Sequence, residues 1–273
     1  MSKLTRITAG KPPSISNLLV ELWLYRSLIW AFSARDLKVK YFQTILGPLW
    51  VIMTPLITVG VMTFIFGLMI KVPSDDLPYL MFYLVAIVPW YAFISVMNLT
   101  MSSLEGHSGL ISKIYFPRLV IGASYALNGT VDFLVGYVVA MIFAAHYSLL
   151  TVEFILVMPL LLFIQMAWAL GIGLVLAPYN ARYRDVKHLV PLIIQLYYFA
   201  NPIMYPVSIA PRWALWLYKI NPLAVVINSY RSSLNGHKIE WTLVLFALLF
   251  STLILIIGAL TFLRKGEDTV DTL

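Results

Sequence analysis

The sequence predicts an all-α, polytopic membrane bundle of six transmembrane helices, with an N-terminal amphipathic interfacial helix and re-entrant outer helices between spans five and six. Three observations carry that expectation. Of the 273 residues, 61% are apolar and only 11% charged, against roughly a quarter charged in an average soluble domain. Mean hydropathy is +0.87, so a water-soluble fold of this length would lack polar surface. The apolar residues also form continuous runs that can cross about 30 Å of hydrocarbon at 1.5 Å per residue, without the period-two alternation of a barrel strand. The absence of cysteine excludes disulfide frameworks, thiolate metal sites and cysteine nucleophiles, and leaves the redox compartment open.

The chain divides as one domain: a basic region at 1–46, the six-span bundle at 47–263 and a tail at 264–273. The N-terminal region is basic, yet residues 18–32 are rich in Leu, Trp and Tyr and can lie in the interface with Trp23, Tyr25 and Trp30 near the headgroups. The run Ser33-Ala34-Arg35-Asp36 reads as a helix start, Ser33 capping and Asp36 complementing the first turn. Leu37, Tyr41 and Ile45 follow at i, i+4 spacing, with Arg35 and Lys38 on another face, until Gly47-Pro48 ends or bends the helix. Such a helix serves either as a topology anchor or as a moving gate.

The spans are read at 47–70, 79–100, 119–145, 154–177, 189–209 and 241–263, and Asp132 is the only formally charged residue within them. Fourteen of the nineteen Lys and Arg residues fall at 1–46, in the second and fourth connections and in the tail. The positive-inside rule therefore puts both termini in the cytoplasm. No cleavable signal is expected, because the first seventeen residues lack a continuous apolar core. Asn98-Leu99-Thr100 and Asn128-Gly129-Thr130 match the glycosylation pattern only by chance, since both lie inside spans.

Connections carry the remaining signals. Residues 102–117 are too polar to span, and Leu104, Leu110, Ile111 and Ile114 give them a partly amphipathic pattern beside Glu105, His107 and Lys113. This segment either docks into a groove on a soluble partner or lies on the bilayer. The shorter connection at 179–188, containing Arg182-Tyr183-Arg184-Asp185, offers a second contact. Two apolar pieces at 213–220 and 223–230, separated by Asn221-Pro222, are each too short to span. They suggest a re-entrant pathway mouth, or an aromatic belt of Trp213, Trp216 and Tyr218, or both.

Motifs for ATP binding, zinc hydrolysis and serine hydrolysis are missing, and the four histidines are scattered, which argues against a metal site. Asp132 demands a partner, because a carboxylate at a helix centre costs roughly 2.5–3.5 kcal/mol on insertion scales. With Asn128 one turn away, an internal structural contact is preferred to a proton relay, which needs several such groups. Clustered aromatics, Trp90-Tyr91 with Phe93 and Tyr197-Tyr198-Phe199 with Tyr205, suit either helix packing or stacking against sugar C–H faces. Prolines 48, 55, 89, 159, 191, 202 and 206 are expected to break or hinge several spans.

The run from Arg35 to Trp50, RDLKVKYFQTILGPLW, resembles the opening motif of type-2 ATP-binding-cassette permeases that export polysaccharides. The resemblance continues in order through Pro117-Arg118, Asn180-Ala181-Arg182-Tyr183-Arg184-Asp185, and Asn221-Pro222-Leu223 with Tyr230-Arg231. That family includes O-antigen, capsule and teichoic acid exporters of the bacterial cytoplasmic membrane. The resemblance implies a non-enzymatic permease that moves a lipid-linked polysaccharide, most of all O-antigen, through a homodimer interface. Two copies of a separate ATPase subunit would hold ATP and Mg, leaving no cofactor or metal in this chain and no nucleic-acid partner. Carried over by position, Glu105, His107, Leu110, Lys113 and Ile114 form the main coupling helix, and Arg182, Arg184 and Asp185 the second contact. Arg35, Asp36, Lys38 and Tyr41 gate the cytoplasmic entrance; Trp213, Trp216, Asn221, Tyr230 and Arg231 form the outer gate. Trp90, Tyr197, Tyr198 and Tyr205, with Tyr41, are candidates for lining the path. The rivals are capsule or teichoic acid export, a drug or antibiotic efflux permease of the same superfamily, a membrane-bound acyl- or glycosyl-transferase, and a proton-coupled carrier centred on Asp132.

Overall fold

The computed structural model describes residues 15–42, 44–107, 109 and 116–270, and every regular element among them is helical. Two short helices come first, α1 at Ile15–Leu24 and α2 at Arg26–Phe42. The break falls at Tyr25, not at the expected start near Ser33. Ser33 lies in the middle of α2, 1% exposed, and its hydroxyl donates to the Asn128 side-chain oxygen rather than capping. A tertiary partner thus took the side chain that local pattern assigned to a helix start. Ile45, expected on the same helix face, lies beyond the end of α2 and is fully exposed.

Gly47 turns the chain with φ +52°, a conformation that costs glycine nothing. A 3₁₀ turn at Gly47–Leu49 then leads into α3 (Trp50–Met62), which continues as a π-helical stretch at Thr63–Met69. There the Ile70 N–H reaches back five residues to the Ile65 carbonyl at 2.9 Å. The longer helices follow: α4 at Tyr79–Met101, a single turn α5 at Ser103–Gly106, α6 at Leu119–His146 and α7 at Val152–Arg182. Thr151 caps α7 by accepting the Phe154 N–H at 3.0 Å. Next come α8 at Val186–Ala200, α9 at Leu215–Ile220, α10 at Pro222–Asn235 and α11 at Trp241–Val270. Asn221 caps α10 at 3.1 Å with Pro222 in its first turn, and Gly236 closes it at φ +67°.

Among the described residues five helical segments are long and apolar enough to cross a membrane: Gly47–Met69, Tyr79–Met101, Leu119–His146, Val152–Arg182 and Trp241–Lys265. The stretch read as a fifth span at 189–209 is α-helical only to Ala200, with a separate 3₁₀ turn at Val207–Ile209. At fifteen residues α8 reaches about 22 Å, short of the hydrocarbon thickness. Prolines 55, 89, 159 and 191 do not interrupt their helices, which run through them. The breaks fall at Gly47-Pro48 and after Ala200, where Pro202 and Pro206 stand in non-helical chain.

Burial separates the helices into core and periphery. The apolar window of α4 is 78% buried and that of α7 56%, whereas α11 and α3 bury only 22% and 17%. Hence α4 and α7 meet protein on most sides, while α3 and α11 present long apolar faces outward. In lipid the hydrophobic effect cannot drive helices together, so close backbone contact matters more. At the α7–α11 crossing a Cβ on Gly258 would collide with the Gly171 carbonyl oxygen, and one on Gly171 would stand 2.7 Å from the Leu255 nitrogen. Only glycine permits that approach.

Candidate functional site

The N-terminal helix α2 lies along α6 and is held by polar side chains spaced to match it. Ser33 bonds Asn128 at one end of the contact. Two turns later the Lys40 ammonium donates to Asp132 at 2.6 Å and the Tyr41 hydroxyl donates to its other oxygen. Asn128 and Asp132 sit one turn apart on α6, so they share a face and meet residues two turns apart on α2. The span-embedded carboxylate therefore has a cation and a hydroxyl as partners, the internal contact that its cost demanded. Burial, the Asp132 hydrogen bond and the Asp132 charge push the Tyr41 phenol above its ordinary pKa, keeping it a donor. Of the other residues expected to gate, Arg35 and Asp36 pair with each other at 2.7 Å and Lys38 is exposed.

A second cluster follows the C-terminal end of α4. The Arg35 guanidinium donates to His107 Nε2 at 2.9 Å. Guanidinium has no lone pair to offer, so Nε2 must accept and the imidazole is neutral. Burial lowers the His107 pKa first, and the Arg35 charge lowers it further. Tyr125 stands 3.4 Å from the other ring nitrogen, and Phe32 packs edge-on against Phe116 beside it. Glu105 turns the other way. It pairs with Lys187 at 2.9 Å and accepts from the Asn180 amide at 3.4 Å. The two segments read as separate partner contacts, around Glu105 and around Arg182–Asp185, are thereby tied together on one face, with Arg182, Arg184 and Asp185 exposed. Leu110, Lys113 and Ile114 lie outside the described residues.

Toward the opposite end the aromatic residues form a joined cluster. Trp90, 3% exposed, packs against Phe93, Tyr197 and Tyr198 at centroid distances of 6.0, 5.9 and 5.1 Å. Tyr197 receives the Trp168 indole N–H at 3.2 Å and donates to Asn221 at 2.6 Å, and Asn221 donates to Asn201 at 3.0 Å. Tyr205 donates to the Phe199 carbonyl at 2.7 Å and lies 3.0 Å from the Tyr218 hydroxyl. Beneath this cluster Arg231 is 5% exposed. It donates to the carbonyls of Pro202 at 2.6 Å, Ile203 at 3.1 Å and Phe82 at 3.1 Å, with its guanidinium 3.4 Å from the Phe82 ring centroid. Tyr230 is buried among Phe133, Tyr137 and Phe154. Trp213 and Trp216 stay 72% and 57% exposed, the pattern of a surface belt.

Sequence reasoning named Asp132 and Tyr41 separately and missed that they meet. It also missed Lys40, Asn180 and Lys187 as the partners of Asp132 and Glu105. The signal for Lys40 was present: a lone intramembrane carboxylate needs a cation, and a basic helix precedes the first span. No pattern in the chain joins Asn201 to Asn221.

The sequence profile described as ABC-2 type transporter matches residues 27–235. An O-antigen export system permease protein of Myxococcus xanthus is 25% identical over 254 residues, covering 92% of this chain and 97% of the relative. One from Klebsiella pneumoniae is 29% identical over 241 residues, 87% of this chain and 91% of the relative. A polysialic acid transport protein of Escherichia coli is 24% identical over 249 residues, 89% and 94% of the two chains. Five long apolar helices, a polar seam at one end and an alignment spanning most of the molecule agree: the chain belongs to the ABC-2 type transporter family, as a multi-pass membrane permease.

Proposed function

We propose that this chain is the membrane subunit of an ATP-driven exporter that carries a lipid-linked polysaccharide, O-antigen above all, across the bacterial inner membrane. The observation that carries the reading is the near full-length match to O-antigen export permeases and to a polysialic acid transporter. Two copies of the chain form the path. The outward apolar residues of α8, with Leu192, Ile193, Leu196 and Phe199 all exposed, favour a second copy or lipid covering that face. Two copies of an ATP-binding subunit dock on the cytoplasmic face, where exposed Arg182, Arg184 and Asp185 stand beside the Glu105–Lys187 pair. Closure of those subunits moves the coupling segments, and α2 yields at its seam with α6 to admit the glycan.

In this reading α8 together with 201–209 makes the sixth crossing, which returns both termini to the cytoplasm. Its support is Arg231, which supplies donors to the carbonyls at Pro202 and Ile203, because non-helical backbone at membrane depth survives only where protein satisfies it. The short helices α9 and α10, with Trp213 and Trp216, flank the outer mouth. Deleting the chain's gene in its host should leave glycan accumulating inside the cell, and adding it back should restore export. Unchanged surface glycan in the deletion strain, or drug sensitivity as the sole phenotype, would reject the polysaccharide reading.

A further inference from the structure

A cavity of about 260 Å³ lies between the end of α2, the start of α3, and the facing sides of α4 and α6. It is smaller than the roughly 300–1,000 Å³ of sites for drug-sized ligands, and suits one six-membered ring. Its wall is chemically mixed. Trp50, 45% exposed, presents an indole on one side, and Val88 and Phe133 supply apolar surface. Asp132, Lys40, Tyr41, Tyr91 and Ser95 also belong to its lining, which is apolar over most of its area. Tyr91 is oriented by a 2.8 Å bond to Thr58, and Tyr41 by its bond to Asp132.

We infer that this cavity is a saccharide subsite, which takes a single pyranose ring of the exported glycan where it passes α2; the inference rests on the proposed function. A sugar ring has apolar C–H faces and a rim of hydroxyls that both donate and accept. An aromatic face matches the first, and an acceptor carboxylate, a donor ammonium and two-way hydroxyls match the second. The charge pattern disfavours a phosphate: the one cation in the wall, Lys40, is already neutralised by Asp132 at 2.6 Å. The same Asp132 that holds α2 thus faces the ring, so ring binding and helix release draw on one carboxylate.

The chain contains no cysteine, which permits a direct test. Ser95→Cys changes one atom in the cavity wall, and Thr54→Cys is the alternative should the first fail to assemble. Each is expressed with the ATP-binding subunit in the native host and in an otherwise identical strain in which glycan synthesis is blocked. Alkylation by N-ethylmaleimide is then followed by mass spectrometry of the permease in inverted vesicles. Glycan should slow modification of the Ser95→Cys variant several-fold and leave a control Ser102→Cys, on exposed chain after α4, unaffected. Adding Trp50→Ala should weaken that protection roughly two- to tenfold, the range one aromatic contact is worth, and Trp50→Phe should keep most of it. Equal alkylation rates of the cavity thiol with and without glycan would overturn the subsite while leaving the export reading intact, since the deletion strain reports on export independently.

Discussion

At the α2–α6 seam Ser33–Asn128, Lys40–Asp132 and Tyr41–Asp132 each join two side chains, and the ion pair at its end opens to solvent, with Lys40 47% and Asp132 14% exposed. Around Arg231 one buried side chain instead holds two stretches of backbone, at Phe82 and at Pro202-Ile203. The ion pair at the end of the first contact can exchange its partners for water at small cost. The second cannot, because each carbonyl would be left without a donor at depth. One chain therefore has an end built to let go and an end built to stay, and that contrast fits a helix that yields beside a frame that does not.

The largest effect should come from the fixed end. Arg231→Leu removes the donors from three carbonyls, each worth about 1–3 kcal/mol when left unsatisfied in the interior. A total loss of roughly 3 kcal/mol or more follows, and in detergent the variant should aggregate or unfold well below the wild-type midpoint. Arg231→Lys restores a charge and one direction of donation, not the fork, and should recover only part of the loss. A leucine variant that melts with the wild type would erase the contrast, since the outer cluster would then hold nothing that packing does not.

At the yielding end Asp132→Asn keeps an acceptor for Tyr41 and removes the charge that binds Lys40. Since Lys40 is half exposed, the pair is worth no more than about 1 kcal/mol. Global unfolding should hardly move. Amide exchange across Arg26–Phe42, by contrast, should accelerate by less than about tenfold, with α4 and α7 unchanged. Tyr41→Phe should do the same through the other oxygen, and the double variant should fall short of the sum because both act on one carboxylate. Loss of protection throughout the bundle would mean that α2 belongs to the core and not to a releasable flank. Retained export by Asp132→Asn would also dismiss a proton carrier centred on that residue.

What could be read from the chain divides along the same line. Spans made of continuous apolar runs were legible because their signal is composition, which packing cannot override: 79–100 and 119–145 differ from the helices by one residue at their ends. The stretch at 189–209 hid a break: its apolar run continues past Ala200, while Asn201-Pro202 turns the chain and a distant arginine satisfies the result. Ser33 misled for the reverse reason. Its cap-like pattern is local, and a partner ninety-five residues away overrode it. Asp132 was legible as an anomaly and its partners were not, since sequence states that a buried charge must be met without stating which of several basic residues meets it. The gate, coupling and outer residues came from motif position, which carries no geometry.

The smallest expected effect sharpens the comparison with pH. His107 is surrounded by Arg35 and Asp36 from α2, Tyr125 from α6 and the Ser103 backbone from its own segment. Burial and Arg35 hold its pKa below the ordinary value of 6.5, with Asp36 and Ser103 opposing them. The folded state thus binds fewer protons than the released one, and stability rises with pH wherever that difference exists. This contribution to α2 docking is complete above pH 6.5 and is lost as pH falls from there through the depressed value. Protonation would also place an imidazolium 2.9 Å from the Arg35 guanidinium and remove its acceptor. Exchange across Arg26–Phe42, corrected for intrinsic rates, should therefore quicken between about pH 8 and pH 5, the range in which histidines titrate. His107→Gln should flatten that dependence, while α10 and its Arg231 contacts stay protected at both ends of the range. A profile that is flat in the wild type, or equally steep in the glutamine variant, would move the pH sensitivity of α2 to some other group.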